Sequence, residues 1–122
     1  MSQIQDNLKM KGRLQIRLND EIVQDVDNLV VGKGYVASRM KDTSADAMSH
    51  MAIGSGTSAA AAGNTALGTE LGRVSLTSTG VSDAVVTYIA TFAAGTGSGA
   101  VTEAGILNAA SAGTMLCRTV FS

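Results

Sequence analysis

The stretch SHMAIGSGTS, residues 49–58, places the chain's one histidine, His50, between Ser49 and Met51 and directly before a glycine-rich turn. An imidazole beside a serine hydroxyl has the types needed for general-base or nucleophilic chemistry. The surroundings fall short of it. The glycines do not form the G-x-S-x-G elbow between a strand and a helix, and a triad with one of the chain's many other serines stays open. No second histidine is available to share a metal, and structural zinc sites take about four Cys or His ligands at short spacing. The expectation for His50 is a structural position in a loop or at a strand edge. GSGTSAAAAG and GTGSG resemble phosphate-binding loops only in glycine content. Neither ends in the Lys-Ser/Thr pair that reaches phosphate and magnesium, and neither is a G-x-G-x-x-G between a parallel strand and a long helix. Turns account for both.

The carboxylates divide into two sets. Asp20, Glu21, Asp25 and Asp27 crowd one hairpin but lack the D-x-D-x-D-G order of a calcium loop, so they read as a solvated acidic turn. Glu70 and Glu103 stand in otherwise uncharged stretches, where partial burial is expected. An unpaired buried carboxylate costs several kcal/mol, so each needs a cation, and Arg73 and Arg118 are the natural partners. Such pairs fix register or an interface more often than they move protons. The basic residues Lys9, Lys11, Arg13 and Arg17 form one face of the first strand. That face is too short, too poor in aromatics and too close to the acidic hairpin for a nucleic-acid surface. It is the candidate interface toward an acidic partner, against the alternative of a plain solvated face. No catalytic, cofactor-binding or metal-ligating set is assigned.

The elements that must position these residues are mostly strands. In LKMKGRLQIRLN, Leu8, Met10, Leu14, Ile16 and Leu18 alternate with Lys9, Lys11, Arg13, Gln15 and Arg17, a period of two that marks a strand with one buried face. Asn19-Asp20 supplies a tight turn, and EIVQDV returns as the second strand of a hairpin over 8–27. NLVV reads as a further short strand ending at Gly32, followed by a helix near 33–42 with Tyr35, Val36 and Met40 turned inward. Met51 and Ile53 mark a brief strand with both side chains in the core. The alanine-rich TSAAAAGNTALG is broken by Gly63, Asn64 and Gly68 and reads as a loop. ELGRVSLTST and AVVTYIATFAAG are the next strands, joined through Gly80 and Asp83, with Val86, Tyr88, Ala90 and Phe92 on one face. AVTEAGILNA and the end of SAGTMLCRTVFS complete the set. Short strands every ten or so residues predict a mainly β domain, an antiparallel sandwich or barrel-like fold with one short helix, 28–122 forming its body.

The 122 residues fit one domain. Its core must be built without tryptophan and with only Tyr35, Tyr88, Phe92 and Phe121 as aromatics, so modest stability alone and a gain from neighbours are expected. A net charge of −1 gives no global field toward nucleic acid or an anionic membrane, and neither is expected as a partner. Cys117 is the one cysteine, which rules out an internal disulfide and suits synthesis in a reducing cytoplasm. MSQIQDNLKMKGRLQ has no long apolar run of the signal-peptide type, and no stretch of ~18 apolar residues suggests a membrane span.

Taken in order, NLVVGKGYVASRM, MSHMAIGSGTSAAAAGNTALGTELGRVSLT and TYIATFAAGTGSGAVTEAGILNAASAGTMLCRTVF resemble a small β-rich domain recurrent in virion proteins of tailed bacteriophages. The resemblance covers Asn28 to Phe121. It implies a non-enzymatic particle component without cofactor: a head decoration or cement protein bound to the major capsid protein, or a tail or fibre-anchoring adaptor. It also implies other virion proteins and further copies of the chain as partners, and the virion as destination. Domains of this group commonly continue with one more strand after R-T-x-F, so the expectation is that this version lacks that strand or that a neighbouring chain supplies it by β-augmentation. A carbohydrate-binding β-sandwich is the reading from another class, disfavoured by the shortage of aromatics that stack on sugars.

Overall fold

The structure is a computed structural model that describes residues 12–31, 33–41, 46–61, 63–83 and 85–121. Among the described residues, eight strands and one helix follow in chain order: β1 (Gly12–Leu18), β2 (Glu21–Val31), α1 (Lys33–Lys41), β3 (His50–Gly54), β4 (Glu70–Ser75), β5 (Ser78–Ser82), β6 (Val85–Ile89), β7 (Glu103–Leu107) and β8 (Met115–Val120). Six strands form one antiparallel sheet in the order β1-β2-β8-β7-β3-β4, and β5 and β6 pair as a separate hairpin. The fold is thus mainly β with antiparallel sheets and one short helix, as the pattern predicts. The large sheet stays open, with β1 and β4 as its two ends rather than closing into a barrel.

The first hairpin forms as its alternation requires. Leu14 and Ile16 are half-buried while Arg13, Gln15 and Arg17 are exposed, and the turn residues Asn19 and Asp20 have φ of 51° and 67°. Both angles are left-handed, the type I′ geometry that Asn and Asp tolerate and that matches strand twist. The sequence reading splits EIVQDV from NLVV, but the chain runs through both as one strand, β2, with register shifts between Gly12/Leu14 and Ile16/Arg17 of its partner. Bulges let a long strand bend without ending. Only Val30 and Val31 of β2 pair with β8, opposite Arg118 and Cys117. The remainder of β1–β2 is therefore an arm that extends past the body of the sheet.

The body is organised around β7, all five residues of which are buried. A strand covered on both faces needs small or apolar side chains throughout, and EAGIL meets this at every position except Glu103. On one face Leu67, from the segment between β3 and β4, packs with Ala52, Leu107 and Met115. Complete burial of Leu107 stabilises by about 1.5–3 kcal/mol. On the other face Met48, Ile106 and Cys117 are joined by Tyr35 of α1, Met51, Leu76, Leu116 and Tyr88 of β6.

Two expected core positions, Met40 and Val86, are exposed, and one core residue, Ala52, is unexpected. Met40 is exposed, because it stands one turn from Val36 on the side of α1 that borders an open groove, and Tyr35 is the helix residue packed on the core. Ala52 is the fully buried residue of β3, with Met51 and Ile53 partly covered on the opposite face. Val86 of β6 is exposed too: β5–β6 does not join the large sheet, and Tyr88 provides its contact with the core. Gly80 lies within β5 opposite Thr87, and only Asp83 belongs to the turn.

Candidate functional site

The densest polar arrangement in the body is centred on Glu103. Its carboxylate lies at the start of β7 with 0 % exposure, and the Arg118 guanidinium of neighbouring β8 is 3 % exposed. Arg118 Nε donates to Glu103 Oε1 at 2.9 Å, and the Gly68 amide donates to the same oxygen at 2.8 Å. Oε2 accepts from the Gly56 amide at 2.6 Å and the Thr69 amide at 2.8 Å. Two donors per oxygen fill the roughly four lone-pair sites of a carboxylate. Burial alone pushes the Glu103 carboxyl up, but the amides of Thr69 and Gly68, the Arg118 guanidinium and the Gly56 amide outweigh it. The net shift is downward. A group so held is anionic, enclosed and a poor base, the opposite of a general acid–base carboxyl poised near neutrality.

What this ion does is hold the 55–69 segment over the sheet. Ser55 N donates to Thr69 O at 2.9 Å, so the segment leaves and re-enters the sheet at neighbouring points, the form of an Ω-loop. Arg118 continues inward through Nη1 to Asn64 Oδ1 at 3.0 Å, and the same oxygen accepts from Ala61 N at 2.8 Å. Thr102, next to Glu103, donates its hydroxyl to Gly56 O at 2.7 Å. The glycines of this segment are there for room. A Cβ on Gly56 would collide with Glu103 Oε2 and lie 2.9 Å from Gly68 Cα, and one on Gly54 would lie 2.6 Å from Glu103 Oε2. No buried side-chain N or O among the described residues lacks a partner.

The second expected pair forms at the sheet's rim. Arg73 grips Glu70 in a fork, Nε to Oε2 at 3.1 Å and Nη2 to Oε1 at 2.7 Å. Its remaining nitrogen, Nη1, donates to the carbonyls of Ala109 and Ala112, both at 2.9 Å. Arg73 thereby braces the 108–114 turn between β7 and β8, where Thr114 N also donates to Asn108 Oδ1. Both Glu–Arg pairs form as isolated charges predict, but the expected burial holds only for Glu103, since Glu70 is exposed at the rim. The three backbone amides on Glu103 were not legible, because they come from a loop without periodicity.

His50 opens β3 and is flanked on both sides, by Leu107 of β7 and Ser75 of β4, so it sits inside the sheet rather than in a loop or at an edge. Its Nδ1 is 2.7 Å from Ser49 Oγ and its Nε2 is 3.4 Å from Ser75 Oγ. Hydroxyls lie on both ring nitrogens, and the third group that orients the base in a nucleophilic triad is a hydroxyl here rather than a carboxylate. Among the described residues no three of His, Cys, Asp and Glu converge as metal ligands.

The arm carries the candidate interface residues. Arg13 is bound by Asp25 through two hydrogen bonds, Nε to Oδ1 at 2.8 Å and Nη2 to Oδ2 at 2.6 Å, with Gln15 Nε2 adding a third contact to Asp25 at 3.3 Å. The bond to Arg13 holds the Asp25 carboxyl below its ordinary value, and the bond to Asp25 raises the Arg13 guanidinium. Part of the acidic cluster is thus a cross-strand partner of the basic face and not only a solvated turn. Arg17 is exposed, opposite Ile22. Lys9 and Lys11 lie outside the described residues. The tip combines exposed Leu18, Ile22 and Val23 with exposed Asp20 and Glu21.

On the far side of the body, α1 and the β5–β6 hairpin enclose an open groove of about 390 Å³. Tyr35, Val36, Arg39 and Met40 line it from the helix, and Thr79, Val81, Val86 and Tyr88 from the hairpin. Among the described residues no helix is long and apolar enough to cross a membrane. No family model, curated protein or solved structure matches the chain.

Proposed function

We propose that this chain is a non-enzymatic structural protein of a tailed-phage particle, acting as a head decoration or cement protein that binds the shell and stabilises it non-covalently. The observation that carries the reading is the β1–β2 arm, joined to the body by two residue pairs and ending in an exposed apolar tip. A long hairpin with a two-pair joint and an exposed tip is a device for reaching a neighbour. In a shell, many such contacts of modest strength add through multivalency. The resemblance of residues 28–121 to virion domains supplies the setting.

The chemistry of the polar clusters supports the same reading. Glu103 and Arg118 are consumed in holding a loop, Glu70 and Arg73 in bracing a turn, and Arg13 and Asp25 in tying the arm's two strands together. The runner-up keeps the particle and places the chain in the tail, as an adaptor or fibre anchor. One observation favours a carbohydrate-binding reading: Tyr35 and Tyr88 line the same open groove. The Tyr35 hydroxyl is engaged by Asp46 O at 2.7 Å, however, and both rings pack on the Ile106–Cys117 cluster, which leaves less of them for stacking on a sugar.

The deciding experiment is copy number per purified virion, by quantitative mass spectrometry against the major capsid protein. A ratio near one, or a simple fraction of it, supports shell decoration. A handful of copies moves the protein to the tail. Absence from virions overturns the proposal and brings glycan binding forward.

A further inference from the structure

Two groups of large apolar side chains are exposed on the described surface. One is the arm tip, with Leu18, Ile22 and Val23. The other is the ledge formed by α1 and the groove face of the β5–β6 hairpin, with Met40, Val81 and Val86, while Val85 and Ile89 lie on the hairpin's opposite face. Scattered exposed apolar residues need no explanation, whereas grouped ones mark contact surfaces. The two patches differ in shape: the first is the convex end of a two-stranded hairpin, and the second borders the groove lined by Met40, Val81 and Val86. They differ also in charge. Asp20 and Glu21 occupy the tip between Leu18 and Ile22, while α1, KGYVASRMK, contains Lys33, Arg39 and Lys41 and no acidic residue, with Arg39 lining the groove.

We infer that the arm tip of one copy docks into the α1/β5–β6 groove of a second copy. Both patches are exposed within a single chain, so the tip does not occupy its own groove. The tip inserts between the groove's two walls: Leu18, which shares a face of the hairpin with Glu21, meets Met40 and Arg39 of α1, and Ile22, on the other face beside Arg17, meets Val81 and Val86 of β5–β6. The contact is heterologous: each junction uses one tip and one groove, and every copy keeps a free groove or tip for the next. Such contacts repeat until a ring closes or a chain of copies extends. The inference rests on the two surfaces alone and stands whether or not the protein belongs to a virion.

The test is sedimentation velocity of the full chain over a concentration series, with circular dichroism to verify folding. The tip variant is Leu18→Ser/Ile22→Ser and the groove variant Met40→Glu/Val81→Glu, all at exposed positions where the fold tolerates change. The wild type is expected to self-associate with rising concentration, less so at high salt because the charged part of the contact is screened. Each variant alone is expected to associate at least about tenfold more weakly, as loss of central apolar anchors does. An equimolar mixture of the two should form a dimer and nothing larger, since only one intact tip and one intact groove meet. A wild type that stays monomeric throughout, a variant that associates like wild type, or a mixture that fails to dimerise would each overturn the inference.

Discussion

Glu103 and Arg118 meet at 2.9 Å beneath the 55–69 loop, neither with more than 3 % of its surface exposed. They belong to adjacent strands but not to the same cross-strand pair: Glu103 stands opposite Val120 and Arg118 opposite Gly105. A Cβ at Gly105 would meet Cys117 O, Leu67 Cδ2 and Met115 Sδ, so the bare position keeps Leu67 and Met115 close against β7 beside the pair. Removing one partner of such a pair strands a buried charge, at a cost of about 3–5 kcal/mol, whereas replacing both by apolar groups of similar volume costs far less. Arg118→Met should therefore lower stability in urea denaturation by about 3–5 kcal/mol, and the double change Glu103→Leu/Arg118→Met by less than the two single changes summed. Strict additivity would show that the two residues are not coupled.

Gly56→Ala should be severely destabilising, because the new Cβ would strike Glu103 Oε2 and the Gly68 backbone together. Gly63→Ala, in the same loop, meets nothing within 4 Å and serves as the control. Thermal melts of the two proteins should separate clearly, with Gly63→Ala close to wild type. Equal melting temperatures would mean that the loop does not lie against Glu103.

The lowered Glu103 carboxyl fixes the sign of the pH dependence. The unfolded chain has an ordinary Glu value of about 4.3, so below that pH it takes up protons that the folded form refuses. The stabilisation is complete above this value and is lost as the pH falls through the lower folded value. Denaturation series from neutral to strongly acidic conditions should show stability dropping in that window for wild type. Glu103→Gln should be less stable at neutral pH and flatter across the same range. An unchanged slope in the variant would assign the acid sensitivity to other carboxyls, such as Asp25.

Cys117 is buried in β8, and burial pushes its thiol up to about 11. Only the thiolate reacts quickly, so at neutral pH the native protein should be inert to a disulfide-exchange reagent and react at once in denaturant. Rapid stoichiometric labelling of the folded protein would contradict the packing of Cys117 against Met48 and Ile106.

The sequence was most informative where the physics is local. The alternation of Leu14, Ile16 and their charged neighbours, with Asn19-Asp20 after them, forms the hairpin that it predicts. Isolated Glu70 and Glu103 both found arginines, though only Glu103 does so in the buried setting that demands one. Long-range geometry was not legible. Nothing in TSAAAAGNTALG says that its ends will present amides to a carboxylate more than thirty residues away, since backbone donors carry no sequence signature. The apolar alternation of AVVTYIA predicts a buried face, yet β5–β6 pairs only with itself and leaves Val81, Val85, Val86 and Ile89 exposed. An unpartnered face in one chain has the same pattern as a core face.

The slender joint between arm and body has a mechanical meaning. From Glu21 to Leu29 the hairpin is a lever of roughly 27 Å at about 3.4 Å per strand residue. Its fulcrum is the two residue pairs that Val30 and Val31 make with β8. A sideways push on the tip turns the whole load into torque on those few hydrogen bonds. A pull along the strand is shared with the stiff backbone of β2 and passed to the main sheet. The arm should therefore swing easily and stretch hardly at all, so that a partner bound at its tip can change angle without letting go.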